Sequence, residues 1–250
     1  MRAAAGLFVT GTDTGVGKTH CAVLLTRALA SRGLRVAVMK PVAAGAAPTT
    51  EGLRNEDALA LMEAASVAAD YATVNPYCLP APVSPHLAAA ACGIEITLAP
   101  ILQAYARLAR AADLVIVEGA GGWLAPLAPR LTIADLARAL ALPVVLVVGL
   151  RLGCLNHAAL SAEAIRACGL PLAGWIGNAI DVEFALPQEN LATLARLLGT
   201  EPLCVLPWRR AEAPPRGRPS EITDAALERL LEAAHTTART SAVLRRAKPE

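Results

Sequence analysis

Gly11-Thr12-Asp13-Thr14-Gly15-Val16-Gly17-Lys18-Thr19 is a stretch built to hold phosphate. Successive backbone N–H groups in a glycine-rich turn form an anion nest, and a following helix aims its positive end at the same point. Lys18 would neutralise the β- and γ-phosphates of a nucleotide, and the Thr19 hydroxyl would ligate Mg²⁺. An apolar run, Leu7-Phe8-Val9, precedes the turn, and Cys21-Ala22-Val23-Leu24-Leu25, of helical character, follows it. That order of strand, turn, Lys-Thr and helix distinguishes a phosphate loop from a flexible turn carrying a solvated lysine. Five residues stand between Gly11 and the Gly17-Lys18 pair, where the common pattern has four.

Four other positions and one further segment carry chemistry of a compatible kind. Lys40 closes Val38-Met39-Lys40 and precedes Pro41, which biases it toward an extended backbone and lets the ammonium project over a strand end; a solvated lysine fits that spacing too. Asp57 stands where a helix begins, as a metal ligand or as an ordinary cap. Glu118 ends an apolar strand and is followed by Gly119-Ala120-Gly121-Gly122, which suits a second magnesium carboxylate beside an approaching phosphate. Asn178 could read a base edge with its amide, or simply form a turn. Gly153-Cys154-Leu155-Asn156-His157 opens a helix whose N–H groups would suit a carboxylate; the plainer alternative is a helix start capped by Asn156. By position His20, His86 and His157 read as structural.

These residues need a scaffold. Strands are expected at Leu7–Thr10, Arg35–Lys40, Leu114–Glu118, Pro143–Gly149, Leu172–Asn178 and Leu203–Leu206. Helices are expected near Thr19–Arg32, Asp57–Ala65, Leu98–Ala112, Ile133–Ala141, Ala158–Cys168 and Glu189–Gly199. Strands alternating with helices imply a parallel sheet covered on both faces, and the unbroken apolar runs Leu114–Val117 and Pro143–Val148 fit strands buried on both sides. Ligands in such sheets gather at the carboxyl ends of the strands, where Lys40, Glu118 and Asn178 fall. Ala213–Pro219 reads as a loop before a helix from Ser220 to about Ala234. Residues 1–235 are expected to form one domain and 236–250 a flexible tail.

The chain has 250 residues, 55% hydrophobic but only 3% aromatic, so its core must be mostly Ala, Leu and Val. A net charge of +2 argues against a nucleic-acid binder driven by phosphate contacts. No apolar run approaches the roughly 20 residues of a membrane helix, and Thr10 to Thr14 interrupt the first one too early for a signal peptide. The six cysteines are scattered without a C-x-x-C pair, as reduced thiols of a cytoplasmic enzyme would be.

Several stretches run in one order from about residue 7 to residue 208. They are Thr10-Gly11-Thr12-Asp13-Thr14 with Val16-Gly17-Lys18-Thr19, Lys40-Pro41-Val42-Ala43, Gly52-Leu53-Arg54-Asn55, Asp57-Ala58-Leu59, Asn75-Pro76-Tyr77 and Ser84-Pro85-His86. Then come Glu118-Gly119-Ala120-Gly121-Gly122-Trp123, Leu152-Gly153-Cys154 with Asn156-His157, and Pro207-Trp208. Together they resemble the dethiobiotin synthetases, ATP-dependent carboxylases of biotin biosynthesis.

The resemblance implies a single P-loop NTPase-type α/β domain and a homodimer. It implies conversion of 7,8-diaminononanoate, CO₂ and Mg-ATP into dethiobiotin, ADP and phosphate, through a carbamate and a carbamic–phosphoric anhydride. By the same resemblance Lys40 and Lys18 are catalytic, and Thr19, Asp57 and Glu118 hold Mg²⁺. The nucleotide is implied to lie against Gly15, Val16, Gly17, Lys18, Thr19, His20, Asp57, Glu118, Gly119, Ala120, Gly121, Asn178, Pro207 and Trp208. Substrate would meet Thr14, Lys40 and Ala44, with its distant carboxylate on the partner subunit's Gly153, Cys154, Leu155 and Asn156. Many members of the family have Glu at Gly15 and Ser at Ala44. Two other readings use the same loop. A related ligase on a larger acid would call for a glutaminase nucleophile or a second domain, and a partition-type switch for an extra lysine where Thr12-Asp13 stands.

Overall fold

The structure, a computed structural model, describes residues 5–208 and 222–246. In chain order its elements are β1 (Ala5–Gly11), α1 (Lys18–Ala30), β2 (Val36–Met39), β3 (Val42–Ala44), β4 (Ala47–Thr49), β5 (Gly52–Arg54), α2 (Glu56–Ala64), α3 (Tyr71–Val74), β6 (Tyr77–Leu79), α4 (Pro85–Ala91) and α5 (Leu98–Ala111). They continue as β7 (Leu114–Gly122), β8 (Pro126–Ala128), β9 (Leu131–Thr132), α6 (Ile133–Leu140), β10 (Val144–Leu150), α7 (Cys154–Ala167), β11 (Leu172–Ala179), α8 (Pro187–Leu198), β12 (Cys204–Leu206) and α9 (Asp224–Arg246).

Six strands pair in the order β12-β11-β10-β1-β7-β2, and every pairing is parallel. They are the six expected strands. Because β1, β2 and β10 are buried along their whole length, both faces of the sheet must be covered. On one face Leu24, Leu25, Leu29, Leu61, Leu227 and Leu230, from α1, α2 and α9, pack on Leu7, Val9 and Ile116. On the other, Ile101, Leu108, Leu136, Ile165 and Leu194, from α5 to α8, pack on Phe8, Val115, Val117 and Leu146. No helix among the described residues is long and apolar enough to cross a membrane.

Three small sheets lie outside this core: parallel β3-β6, and the antiparallel pairs β4-β5 and β8-β9. Three further boundaries differ from expectation. β7 continues past Glu118 to Gly122, re-pairing with Gly11 after a register shift. α7 begins at Cys154, ahead of the helical pattern at Ala158 and in keeping with a helix opened by Gly153–His157. The segment from residue 236, expected as a tail, is helical as far as Arg246. The stripe Ala226, Leu227, Leu230 and Ala234 buries the first half of α9 against the sheet, Arg32 pairs with Asp224 at its start, and the Ala- and Arg-containing sequence beyond can propagate a helix already nucleated. The expected loop Ala213–Pro219 lies outside the described residues.

The start of α6 is fastened by a capping box. Thr132 Oγ1 accepts the Asp135 N–H at 3.3 Å, and Asp135 Oδ2 accepts the Thr132 N–H at 2.9 Å. The next residue, Ile133, sits where a Cβ on Gly119 of β7 would meet it, so the cap steadies the strand that carries Glu118. Its hydrogen bonds with Thr132 hold the Asp135 carboxyl below its ordinary value. A depressed carboxylate contributes stability above its unfolded pKa and loses it as pH falls through the folded one. Thr132→Ala should therefore lower unfolding stability at pH 7 by about 1 kcal/mol. Denaturant titrations at pH 7 and in the acid range should show that difference shrinking as Asp135 protonates.

Candidate active site

The loop after β1 is tied down on the side of β10 and β11. Thr12 N–H donates to Val147 O at 2.9 Å, and Arg151, just past β10, pairs with the Asp13 carboxylate at 2.7 Å. The other oxygen of that carboxylate accepts the Thr14 N–H at 2.7 Å. Asn178, at the end of β11, donates its amide to Val16 O at 2.9 Å. Gly15 and Gly17 take φ of 76° and 85°, the left-handed region that glycine enters without strain. Gly17 is the N-cap of α1, and a Cβ there would collide with Asn178 Nδ2. The turn, and the positive end of α1, are thereby aimed across the sheet edge.

On the other side of β1, Met39 of β2 pairs with Val117 of β7, which sets Lys40, just past β2, beside Glu118 of β7. Lys40 Nζ lies 2.6 Å from Glu118 Oε1 and 2.8 Å from Asp57 Oδ2. Thr19 Oγ1, from the first turn of α1, donates to the same Glu118 oxygen at 2.8 Å. Glu118 is fully buried and Lys40 is 4% exposed, and Glu118 Oε2 has no hydrogen-bond partner. Asp57 enters from α2, whose N-cap Asn55 accepts the Asp57 and Ala58 N–H groups. Lys18 Nζ donates to Asp13 O at 2.9 Å.

Burial and charge contend at each of these groups. Desolvation pushes Glu118 above the usual carboxylate range, with the Lys40 ammonium opposing it. Desolvation would lower Lys40, but Glu118 and Asp57 outweigh it and hold the ammonium above the ordinary lysine value. At Asp57 burial again opposes the charge, and Lys40 prevails, leaving the carboxyl below its ordinary value. Lys18, desolvated and facing the like charge of Lys40, falls to about 8. Such a concentration of displaced pKa values in a cleft marks a functional site.

The cleft is a cavity of ≈ 760 Å³. Of the expected site residues, Thr14, Gly15, Gly17, Lys18, Thr19, Lys40, Ala44, Asp57, Glu118, Ala120 and Gly121 line it. Gly119 instead packs toward Phe8 and Ile133, Val16 is buried, and His20, half-buried in the first turn of α1, does not line the cavity. Asn178 touches the loop through Val16, while Pro207 and the part-exposed Trp208 follow β12 at the sheet edge. Gly153 to Asn156 open α7 outside this cavity. Gly153 is the N-cap there, with φ of 94°, so the alternative in which Asn156 caps the helix is corrected: Asn156 lies inside the first turn. Ala43, Pro82, Val83, Ser84, Pro85 and Ala125 also line the cavity. Of these, Ala43, Ser84 and Pro85 had been legible as motif residues without a role, as had Asp13 of the loop; Arg151 carried no local signal.

The chain matches a family described as an AAA domain over residues 5–216. It is 54% identical over 81% of its length to the ATP-dependent dethiobiotin synthetase BioD of Xanthomonas euvesicatoria pv. vesicatoria, covering 90% of that protein. It is 53% identical over 83% of its length to the BioD of Pseudomonas aeruginosa, covering 91% of it. The chain belongs to the dethiobiotin synthetase family. Among solved structures it is similar in fold to a ParA family ATPase from Chlorobium tepidum TLS, at TM-score 0.51 and 13% identity, covering 96% of this chain and 94% of that one. It is similar also to a MinC:MinD cell division protein complex of Aquifex aeolicus, at TM-score 0.53 and 17% identity, covering 99% and 98%. Dethiobiotin synthetases and these ATPases share the P-loop sheet; at such identities the likeness concerns fold alone.

Gly17→Ala should leave the protein folded but weaken ATP binding at least about tenfold, because the side chain adds left-handed strain and a clash with Asn178. Thermal melts of Gly17→Ala and of Gly17→Ala with Asn178→Ala check the cause, since the second change should return part of the lost stability.

Proposed function

We propose that the protein carries out the ATP-dependent closure of a cyclic urea from 7,8-diaminononanoate and CO₂, giving dethiobiotin, ADP and phosphate. The observation that carries this reading is the convergence of Lys18 and Lys40 on the wall of one cavity, in a chain half identical to proteins named ATP-dependent dethiobiotin synthetase. Partition-type ATPases share the fold only, and Thr12-Asp13 stands where their extra lysine would be.

The chemistry sets anion against anion. One amine and CO₂ form a carbamate, a poor electrophile until its oxygen is phosphorylated. That oxygen attacks the γ-phosphorus, the bond to the β-phosphate oxygen breaks, and ADP leaves. The second amine then attacks the carbamoyl carbon, closes the five-membered ring, expels phosphate and loses a proton. The first transfer needs cations positioned in advance, and the closure is intramolecular, so held geometry carries much of its rate. Lys18, close to its own titration point, gains its full charge against phosphate. Lys40 stands where a carbamate and a γ-phosphate would meet. Asn178, tied to the loop, is assigned to the adenine, and Ala44 and Thr14 to the diamine side.

The donor set suits magnesium: Thr19 Oγ1 and the Asp57 and Glu118 carboxylates, with Glu118 Oε2 buried and unpartnered. No cluster of three His, Cys, Asp or Glu able to hold a metal occurs among the described residues, which fits an ion that takes one or two carboxylates and completes its shell with phosphate and water. Bound there, Mg²⁺ would supply charge neutralisation at the triphosphate.

The reading extends to a homodimer. Leu152 is 93% exposed beside the α7 N-terminus, and an apolar side chain so placed is suited to a partner surface. Gly153, Cys154, Leu155 and Asn156 of that surface would receive the distant carboxylate of a diamine held by the partner subunit. The compartment is the cytoplasm, in keeping with six free cysteines.

Phosphate release from Mg-ATP should require bicarbonate and the diamine together, with a dethiobiotin mass appearing in step; release indifferent to the diamine would defeat the reading. Lys40→Ala should lower kcat by about 100-fold or more. Leu152→Glu should shift the protein to monomer in sedimentation and remove activity; an active monomer would sink the shared site.

A further inference from the structure

A ring of hydrogen bonds runs behind the cavity wall through residues that no part of the reaction uses. Asn75, 2% exposed, donates its amide to Lys40 O at 2.6 Å and to Tyr77 O at 3.2 Å. With both amide protons committed to carbonyls, its oxygen can only accept, so the orientation of the amide is fixed by its partners. That oxygen accepts the Tyr71 hydroxyl at 3.0 Å. The phenol oxygen in turn accepts the Asn55 N–H at 2.7 Å. Asn55, 7% exposed, caps α2 through the Asp57 and Ala58 N–H groups and donates to Ala44 O at 3.3 Å. The ion pair of Asp57 with Lys40, at 2.8 Å, closes the circuit.

We infer that Tyr71, with Asn55 and Asn75, is a positioning unit that fixes the Lys40 ammonium and the Asp57 carboxylate relative to each other. Neither end could be placed so well alone. Lys40 follows a sheet strand, whereas Asp57 rides on a separate helix reached through the exposed β4-β5 hairpin. The phenol joins the two. Its hydroxyl lies 3.0 Å from Asn75 Oδ1, which can only accept, and 3.3 Å from Cys78 Sγ, which can donate in turn; its ring is clamped by the Arg54 guanidinium, 4.3 Å from the centroid. Burial, and then the neighbouring Cys78, push its pKa up to about 12, so it remains a donor at any working pH. Asn55 and Asn75 are buried and the phenol between them is half-buried, and in a hydrogen-bonded network of this kind the loss of one member is felt by the others.

The inference rests on the assignment of Lys40 as catalytic, and the test separates the two. Tyr71→Phe keeps the ring and removes the link, leaving Asn55 N–H and Asn75 Oδ1 without it. Since a misplacement of about 1 Å can cost on the order of 100-fold, kcat for dethiobiotin formation should fall about 10- to 100-fold, with KM for ATP within about twofold of the parent. Arg166→Ala is the control. It removes the bond that Arg166, near the end of α7, donates to Leu198 O at 2.6 Å, away from the cavity, and should lower Tm while leaving kcat intact. In a Lys40→Ala background Tyr71→Phe should cost little more, because both act at the same step. Unchanged kcat in Tyr71→Phe, or a full additional loss in the Lys40→Ala background, would overturn the positioning role. Parental kcat in Lys40→Ala itself would remove the assignment of Lys40, and the inference with it.

Discussion

The buried ion cluster of Lys40, Glu118 and Asp57 is the constraint to which the rest of the structure answers. A carboxylate with no exposure and an ammonium at 4% each lose several kcal/mol of hydration, which their attraction repays only when geometry is good and the remaining polar atoms are bonded. Here one oxygen of Glu118 is left without a partner, so the cluster is poor as a stabilising device and makes sense as a site. Its requirements reach outward. β2 must lie directly against β7 so that Lys40 and Glu118 meet, α1 must begin where Thr19 can reach Glu118, and α2 must begin so that Asp57 falls in its first turn.

The phosphate loop depends on a second set of fits, made of absent side chains. Gly11, Gly17 and Gly149 stand where a Cβ would meet Val16, Asn178 and Ile180 respectively. The loop can therefore lie close on the ends of β10 and β11 while Asp13 and Arg151 bridge it to the chain leading into α7. That bridge joins the loop that would cradle the triphosphate to the helix proposed to serve the neighbouring subunit. Rigidity at both ends is what phosphoryl transfer asks of a protein that performs little covalent chemistry itself.

The sheet was legible because its strands are unbroken apolar runs and its helices are amphipathic or Ala/Leu-rich, signals that survive without any tertiary information. The site was legible for a related reason: Lys18, Lys40 and Asp57 each stand at an element terminus, and Glu118 closes the apolar run of β7, where the parallel sheet rule gathers ligands. What was missed lacks local signal. β3, β4, β5 and β6 have three residues each, too short for a period, and β4 carries Pro48. The opening of α7 at Gly153–His157 was legible, but the cap was not, because Gly153 and no polar side chain stands there. Asn75 and Asn55 were visible in motifs, but the role of each is set by Tyr71, which is distant in sequence from Asn55 and Lys40 alike.

Charge explains why these pieces belong together. Within the cavity Lys18 and Lys40 are matched by Asp57 and Glu118, so the side chains alone offer no surplus of positive charge to a triphosphate facing a carbamate. The end of α1 adds about half an elementary charge, which is too little. The carboxylates would defeat the purpose of the lysines unless they served to bind something more positive than themselves. A divalent ion held as proposed by Asp57, Glu118 and Thr19 would resolve the conflict: the two opposing charges would become ligands, and both lysines would be left to the reacting anions. On this argument the acidic residues do not compromise the phosphate site; they are the reason that its cations can be used.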